Sequence, residues 1–219
     1  SGASQGKYLK AVAEFKTTAG EVILVKVGLS GVSPEGALNN LAKEIPGWDF
    51  DGVRKSADAA WARELGRIRI ETSDVKNRQI FYTALYHTML APTLYDDVDG
   101  QYRAADLSVK HLPAGAHNYS TYSLWDTYRA LHPLFTLIEK QRVPVLLDAL
   151  ARLGDESPNG APVWPLQGRE TGCMTGYHSA PVIAEAAVKG FTGIDYGRAY
   201  KVLRRRAMDE DYRGLGDYR

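Results

Sequence analysis

Asp74-Val75-Lys76-Asn77-Arg78-Gln79-Ile80-Phe81-Tyr82-Thr83-Ala84-Leu85-Tyr86-His87-Thr88-Met89-Leu90-Ala91-Pro92 is the stretch on which the fold turns. From here on the pattern is helical. Asp74 can cap a helix that runs to about Leu90, and Pro92 ends it. Upstream, residues 8–17 alternate apolar and polar, and residues 22–29 are β-branched and apolar, with Ala19-Gly20 between them. A strand pair is predicted there. Two strands alone are marginal in water, so they read as the end of a larger sheet. Ser33-Pro34-Glu35 supplies a cap, a first-turn proline and an acid for a helix to about Lys43. Asp49 and Gly66 bracket a second helix over 49–65, and Arg67 to Glu71 alternates like a short strand. Downstream, 93–122 is loop-like, with a hairpin expected around Val98-Asp99-Gly100-Gln101. Helices are predicted from Ser123 to about Glu139 and over 142–153, 178–190 and 195–208, and residues 154–176 are rich in Gly and Pro. A sheet end, linker helices and then successive helices on long loops predict an all-α domain following a β domain. Such loops often carry binding groups.

The chain has 219 residues, a net charge of +1 and 44% hydrophobic residues, enough for a real core. A nucleic-acid binder would need a concentrated basic face. The one basic cluster, Arg204-Arg205-Arg206, lies in a helical pattern and is followed by Asp209-Glu210-Asp211, so it reads as a solvated helix end. A single cysteine, Cys173, excludes an internal disulfide. No apolar run reaches the roughly 18 residues of a membrane span, and no signal peptide is present. The Ser/Gly/Ala/Gln-rich start (1–6) and the finish at Gly-Asp-Tyr-Arg suggest an internal piece of a longer chain.

Phosphate-loop, dinucleotide-binding, zinc-protease and nucleophile-elbow motifs are absent. His87, His111, His117, His132 and His178 show no ligand spacing. Asp96-Asp97-Val98-Asp99-Gly100 lacks the pattern of an EF-hand and reads as a turn with solvated acids. Two stretches stand out. In Ser123-Leu124-Trp125-Asp126-Thr127-Tyr128-Arg129, Ser123 and Asp126 suit a helix start and Trp125 a core. The same residues would also make a sugar subsite, with an indole platform and a carboxylate that accepts from two hydroxyls. In Trp164-Pro165-Leu166-Gln167-Gly168-Arg169-Glu170-Thr171-Gly172-Cys173-Met174, one acid rides in a glycine-rich loop. Glycine lets backbone approach a ligand closely, but Glu170 could equally pair with Arg169 or cap the next helix.

The order and spacing of Phe81 to Pro92, Tyr102-Arg103, Ser123 to Arg129, Trp164-Pro165-Leu166 and Glu170 to His178 resemble glycoside hydrolase family 92, the calcium-dependent exo-α-mannosidases. Glu44-Ile45-Pro46-Gly47-Trp48-Asp49-Phe50 is similar to that family's interdomain linker. The resemblance implies a mixed fold: the last strands of an N-terminal β-sandwich (1–32), linker helices with a short strand (33–73) and the first half of an (α/α)6 toroid (74–219). It implies hydrolysis of terminal α-mannosides in mannose-containing glycans by inversion, with calcium as cofactor, in a periplasmic or extracellular setting, and α-1,2 as the first linkage expected. Inversion needs two carboxyl groups roughly 6.5–9.5 Å apart. The resemblance places the general acid at Glu170, whose carboxyl should be kept protonated by burial or nearby negative charge, with Arg169 pointing away. Trp125 and Asp126 fall on residues that hold the mannose at the cleavage subsite, and Cys173 lies in the same loop. Gly172 departs from the Asn of many members, which bears on the leaving-group subsite. No Gly-Asp-Glu-Asp-like motif occurs, so the general base and the main calcium ligands are expected beyond residue 219, and this polypeptide alone is expected to be inactive. The alternatives are a non-catalytic carbohydrate-binding module, or another (α/α)6 glycosidase such as a trehalase- or glucoamylase-like enzyme.

Overall fold

The structure, a computed structural model, describes residue 8 and residues 10–209. It is mostly helical, with three small antiparallel ladders. The helices are α1 (Pro34–Glu44), α2 (Phe50–Leu65), α3 (Val75–Thr88), α4 (Leu124–Thr127), α5 (Leu131–Ile138), α6 (Val143–Glu156), α7 (Ser179–Val188) and α8 (Tyr196–Ala207). The strands are β1 (Thr93–Leu94), β2 (Gln101–Arg103), β3 (Val109–His111), β4 (Tyr119–Ser120), β5 (Pro165–Leu166) and β6 (Arg169–Glu170). β1 pairs with β4, β2 with β3, and β5 with β6.

Several helices start where a side chain meets free backbone donors. Ser33 accepts from Gly36 N, Asp49 from Gly52 N, and Asp74 from Lys76 N and Asn77 N. The main core lies between α5, α6, α7 and α8, around Phe135, Leu146, Leu150, Ile183 and Ala199. Tyr122 and Leu124 are fully buried in it, and the Tyr122 hydroxyl donates to Leu146 O at 2.8 Å. That burial pins the start of α4 to the helical body.

Several expectations are corrected. Residues 10–29 form no ladder: Val22, Val25, Val27 and Leu29 are exposed, and no partner strand meets them among the described residues. Residues 67–71 are likewise not a strand: no partner strand meets them among the described residues, and Arg67 makes ion pairs with Glu64 and Glu139. The hairpin closes later than expected. Asp97–Gly100 is a turn, with Gly100 N donating to Asp97 O, but the ladder runs Gln101↔His111 to Arg103↔Val109 and turns at residues 104–108. The helix expected from Ser123 to Glu139 is broken at residues 128–130. Pro133 has no N–H, and its ring would clash with the carbonyl four residues back, so α5 must start afresh at Leu131.

Another correction concerns charge. Asp97 is buried and accepts from Ser30 Oγ at 2.6 Å and Asn40 Nδ2 at 2.8 Å. Asp96 accepts from Asn118 N and faces His117 Nδ1. These acids are structural rather than solvated, since buried carboxylates need donors. Nor is the arginine cluster simply solvated. Arg205 donates to Gly154 O and Ser157 O at the end of α6, and Arg206 is buried and donates to Asn159 O. Residues 210 and 211 of the acidic run lie outside the described residues.

Candidate active site

The glycine-rich stretch folds into the β5–β6 hairpin. Its turn needs left-handed backbone at Gln167 (φ 47°) and Gly168 (φ 78°). A Cβ at 168 would stand 2.5 Å from Tyr95 Cε1, so the hairpin tip can sit against that ring only with glycine there. Gly168 N donates to Ser120 Oγ at 2.8 Å and ties the tip to β4.

Glu170 follows on β6, half-buried. Successive strand residues point to opposite faces, which sends Arg169 away from it. No ion pair joins the two among the described residues, and Glu170 does not cap α7. Its carboxylate gathers three backbone donors instead. Oε2 accepts from Val163 N at 2.5 Å and Trp164 N at 3.0 Å, and Oε1 accepts from Gly172 N at 2.8 Å. A carboxylate has about four acceptor positions, so Oε1, with one donor, keeps an acceptor position free while Oε2 takes two.

Trp125 and Asp126 open α4. Ser123 is the N-cap residue of α4, as expected, but its side chain makes no cap bond. Trp125 is 40% exposed rather than core. Asp126 is exposed, and its carboxylate has no hydrogen bond or ion pair among the described residues. The two stretches meet through backbone: Leu124 N donates to Val163 O at 3.2 Å, and Val163 N donates to Glu170 Oε2. Thus one residue, Val163, links the first turn of α4 to the Glu170 carboxylate. Cys173 is an exposed free thiol, and its Sγ lies 3.0 Å from Thr171 Oγ1, which donates to Trp164 O.

The remainder of the loop is anchored on both sides. The Tyr177 hydroxyl donates to Leu203 O on α8, and burial raises its phenol above the ordinary range, against the nearby Arg206 charge. Ser179 Oγ donates to Pro162 O at 2.6 Å. The sequence reading missed His178, whose ring lies 5.4 Å from Trp125 and 4.6 Å from Tyr128. A glycine two residues before a histidine at a helix start was the available signal. The described residues offer no group of three or more His, Cys, Asp or Glu that could hold a metal, and Asp96, Asp97 and Asp99 are engaged with protein donors. They do not fit a calcium site by themselves.

The Glu170 carboxylate, fixed by three amides, is thus tied through Val163 to the helix turn that bears an exposed indole and a carboxylate unpartnered among the described residues. The chain belongs to glycosyl hydrolase family 92: residues 36–219 match that family's catalytic domain. It is 40% identical to a solved family GH92 α-mannosidase from Bacteroides thetaiotaomicron, with a TM-score of 0.80 over 86% of this chain and 25% of that one. The same mannosidase is known in complex with mannoimidazole. A family GH92 inverting mannosidase from that organism is 29% identical, with a TM-score of 0.72 over 79% of this chain and 23% of the other. An uncharacterized secreted glycosidase of Arthroderma benhamiae is 32% identical over 111 residues, 49% of this chain and 13% of that protein. The chain therefore spans about a quarter or less of the length of these relatives.

Proposed function

We propose that this chain is part of an exo-acting α-mannosidase that removes terminal mannose from glycans with inversion, and that Glu170 is its general acid. The observation that carries this reading is the link through Val163, which brings Glu170 to the segment bearing Trp125 and Asp126. The 40% identity to an α-mannosidase, the mannoimidazole complex of that relative and the inverting mannosidase among the neighbours support it. Trp125 offers an apolar face to the sugar ring. The free carboxylate of Asp126 accepts from sugar hydroxyls, and Cys173 lines the same loop. Glu170 protonates the leaving oxygen from Oε1.

Inversion also needs a base that activates water on the opposite face. That base, and the ligands of a calcium ion that would help bind and distort the sugar, are proposed to come from protein outside this chain. The polypeptide alone is then inactive. Residues 1–32 are proposed to close a β-sandwich, 33–73 to link and 74–219 to begin an (α/α)6 toroid, with α-1,2-linked mannose as the first substrate to try. The secreted relative supports an extracytoplasmic setting, and no helix among the described residues is long and apolar enough to cross a membrane.

The test uses Glu170→Gln in the full-length protein. A general acid matters most when the leaving group is poor. Hydrolysis of an α-mannobiose should fall by at least about 100-fold, while an aryl mannoside with an acidic phenol is cleaved far nearer the normal rate and mannoimidazole still binds. Equal loss on both substrates, with inhibitor binding kept, would mean that Glu170 only holds the loop. Parallel assays with a chelator test the calcium requirement.

A further inference from the structure

His178 stands where the candidate site meets α7, and the hydrolytic reading gives it no role. It occupies the N-cap position of α7, yet its side chain makes no cap bond. The imidazole turns back over the glycine-rich loop. Gly176 has φ +108°, and a Cβ there would lie 2.1 Å from His178 Cε1 and 2.5 Å from Nδ1. The ring can take this place only because residue 176 has no side chain.

The imidazole then packs on two aromatic neighbours. Its centroid is 4.6 Å from Tyr128 at 38° and 5.4 Å from Trp125 at 83°. Trp125 in α4 and Tyr128, its C-cap residue, are three residues apart, which puts them on one side of that turn, so one ring reaches both. Nδ1 is buried and has no hydrogen-bond partner among the described residues. Buried polar atoms are usually paired, and imidazoles are usually oriented by what their nitrogens bond. This ring is oriented by shape, between Gly176 and the two aromatic side chains.

We propose that His178 is a positioning residue of the sugar subsite. Wedged between the 176 backbone and Tyr128, it holds the Trp125 indole at the tilt at which its exposed face meets a pyranose ring. A fixed indole loses less freedom when a sugar stacks on it, and the saving appears as affinity. The inference rests on the reading of Trp125 and Asp126 as the mannose subsite, and it assigns His178 no proton transfer.

The experiment compares three variants of the full-length protein. His178→Phe keeps a ring but has no hydrogen-bonding atom, His178→Gln keeps a polar group without a ring, and His178→Ala keeps neither. One readout is the fluorine resonance of Trp125 in unliganded protein labelled with 5-fluorotryptophan, assigned by its loss in Trp125→Phe. The other is the Kd for mannoimidazole. In the Ala and Gln variants the Trp125 line should broaden or split and the inhibitor should bind about tenfold more weakly. The Phe variant should restore one sharp line and most of the affinity. If Gln restores both readouts and Phe neither, His178 acts through a hydrogen bond and the proposal is wrong. It is equally wrong if all three match the parent protein. The Phe and Gln pair decides the matter even where the Ala variant does not fold. A Trp125→Ala control separates the two readings. Unchanged inhibitor binding in that control would overturn the sugar subsite, while the fluorine line would still report whether His178 holds the indole.

Discussion

His132 shows how one buried side chain sets a response of the whole fold to pH. It is 5% exposed, stacks on Tyr122 at 6.5 Å and meets Phe135 edge-on at 5.9 Å. Burial lowers its pKa from 6.5 to about 4. The folded state therefore binds this proton less readily than the unfolded one. Stability is full above pH 6.5 and falls as pH drops toward 4, by an amount on the order of 3 kcal/mol at 1.36 kcal/mol per unit. Denaturant midpoints across that window should show the loss in the parent protein, and His132→Phe should flatten its share of it. An unchanged slope in the variant would remove His132 as the cause. Glu170 makes the opposite use of its surroundings. Its three amide donors suit an acceptor, so Glu170→Gln must turn an amide NH2 toward at least one N–H. A modest loss of stability, about 1–3 kcal/mol for a donor left unsatisfied, should accompany any loss of catalysis. It is measured by the same denaturation.

At the scale of elements, α1 is locked to the turn before β2 by a small polar network. Asn40 Nδ2 donates to Leu29 O and Asp97 Oδ1, Val98 N donates to Asn40 Oδ1, and Ser30 Oγ donates to Asp97 Oδ2. A Cβ at Gly36 would stand 2.4 Å from Asp97 Oδ2, so the helix can approach the carboxylate only with glycine there. Asp97→Ala would leave the Ser30 and Asn40 donors without their acceptor and should destabilise the protein by about 1–3 kcal/mol, read as a shift in denaturant midpoint with unchanged slope. Loss below about 0.5 kcal/mol, the scale of ordinary surface substitutions, would show that water replaces the carboxylate freely. The network also shows what sequence could and could not reveal. Ser33, Asp49 and Asp74 announced their helices because a cap is local, decided within three residues. Asp97 looked like a solvated turn acid because its partners are 57 and 67 residues away. The break between α4 and α5 was readable in Pro133, yet the expected helix ran through it. Residues 22–29 had the composition of a strand, yet a ladder needs a partner, and composition does not supply one. At the site, Trp125, Asp126 and Glu170 stood out by residue type. The link between them through Val163 is a matter of backbone and left no mark in the sequence. His178 closed the Glu170–His178 stretch in sequence, but its contact with Trp125 and Tyr128 joins residues about 50 apart and left no local mark.

At the scale of the molecule, one ion cluster joins α2 to the corner between α5 and α6. Arg67 Nε reaches Glu64 at 2.8 Å and Glu139 at 3.1 Å, and Arg142 reaches Glu64 at 3.1 Å and Glu139 at 3.5 Å. Arg67 also donates to Ile138 O at 3.0 Å. The two carboxyls respond in opposite directions. Burial alone would raise Glu64, but the hydrogen bond from Arg67, the charges of Arg142 and Arg67 and the bond from Arg63 outweigh it and leave the group below the ordinary carboxylate range. For Glu139 burial dominates, the Glu64 charge adds to it, and the group is raised despite Arg142 and Arg67. The signs lead to opposite outcomes. A lowered carboxyl contributes stability above its unfolded pKa that disappears as pH falls through its folded pKa. A raised one is held charged at a cost, and neutralising it at pH 7 removes that cost. Glu64→Gln should therefore destabilise at pH 7 by about 2 kcal/mol, the scale of a charge-assisted hydrogen bond, with the difference shrinking in acid. Glu139→Gln should cost little, because neither Glu139 oxygen accepts a hydrogen bond among the described residues and the desolvated charge is gone. Paired denaturation curves at pH 7 and in acid decide between them. Equal losses for the two variants would mean that the cluster acts as one undivided network and that burial does not set the balance at Glu139.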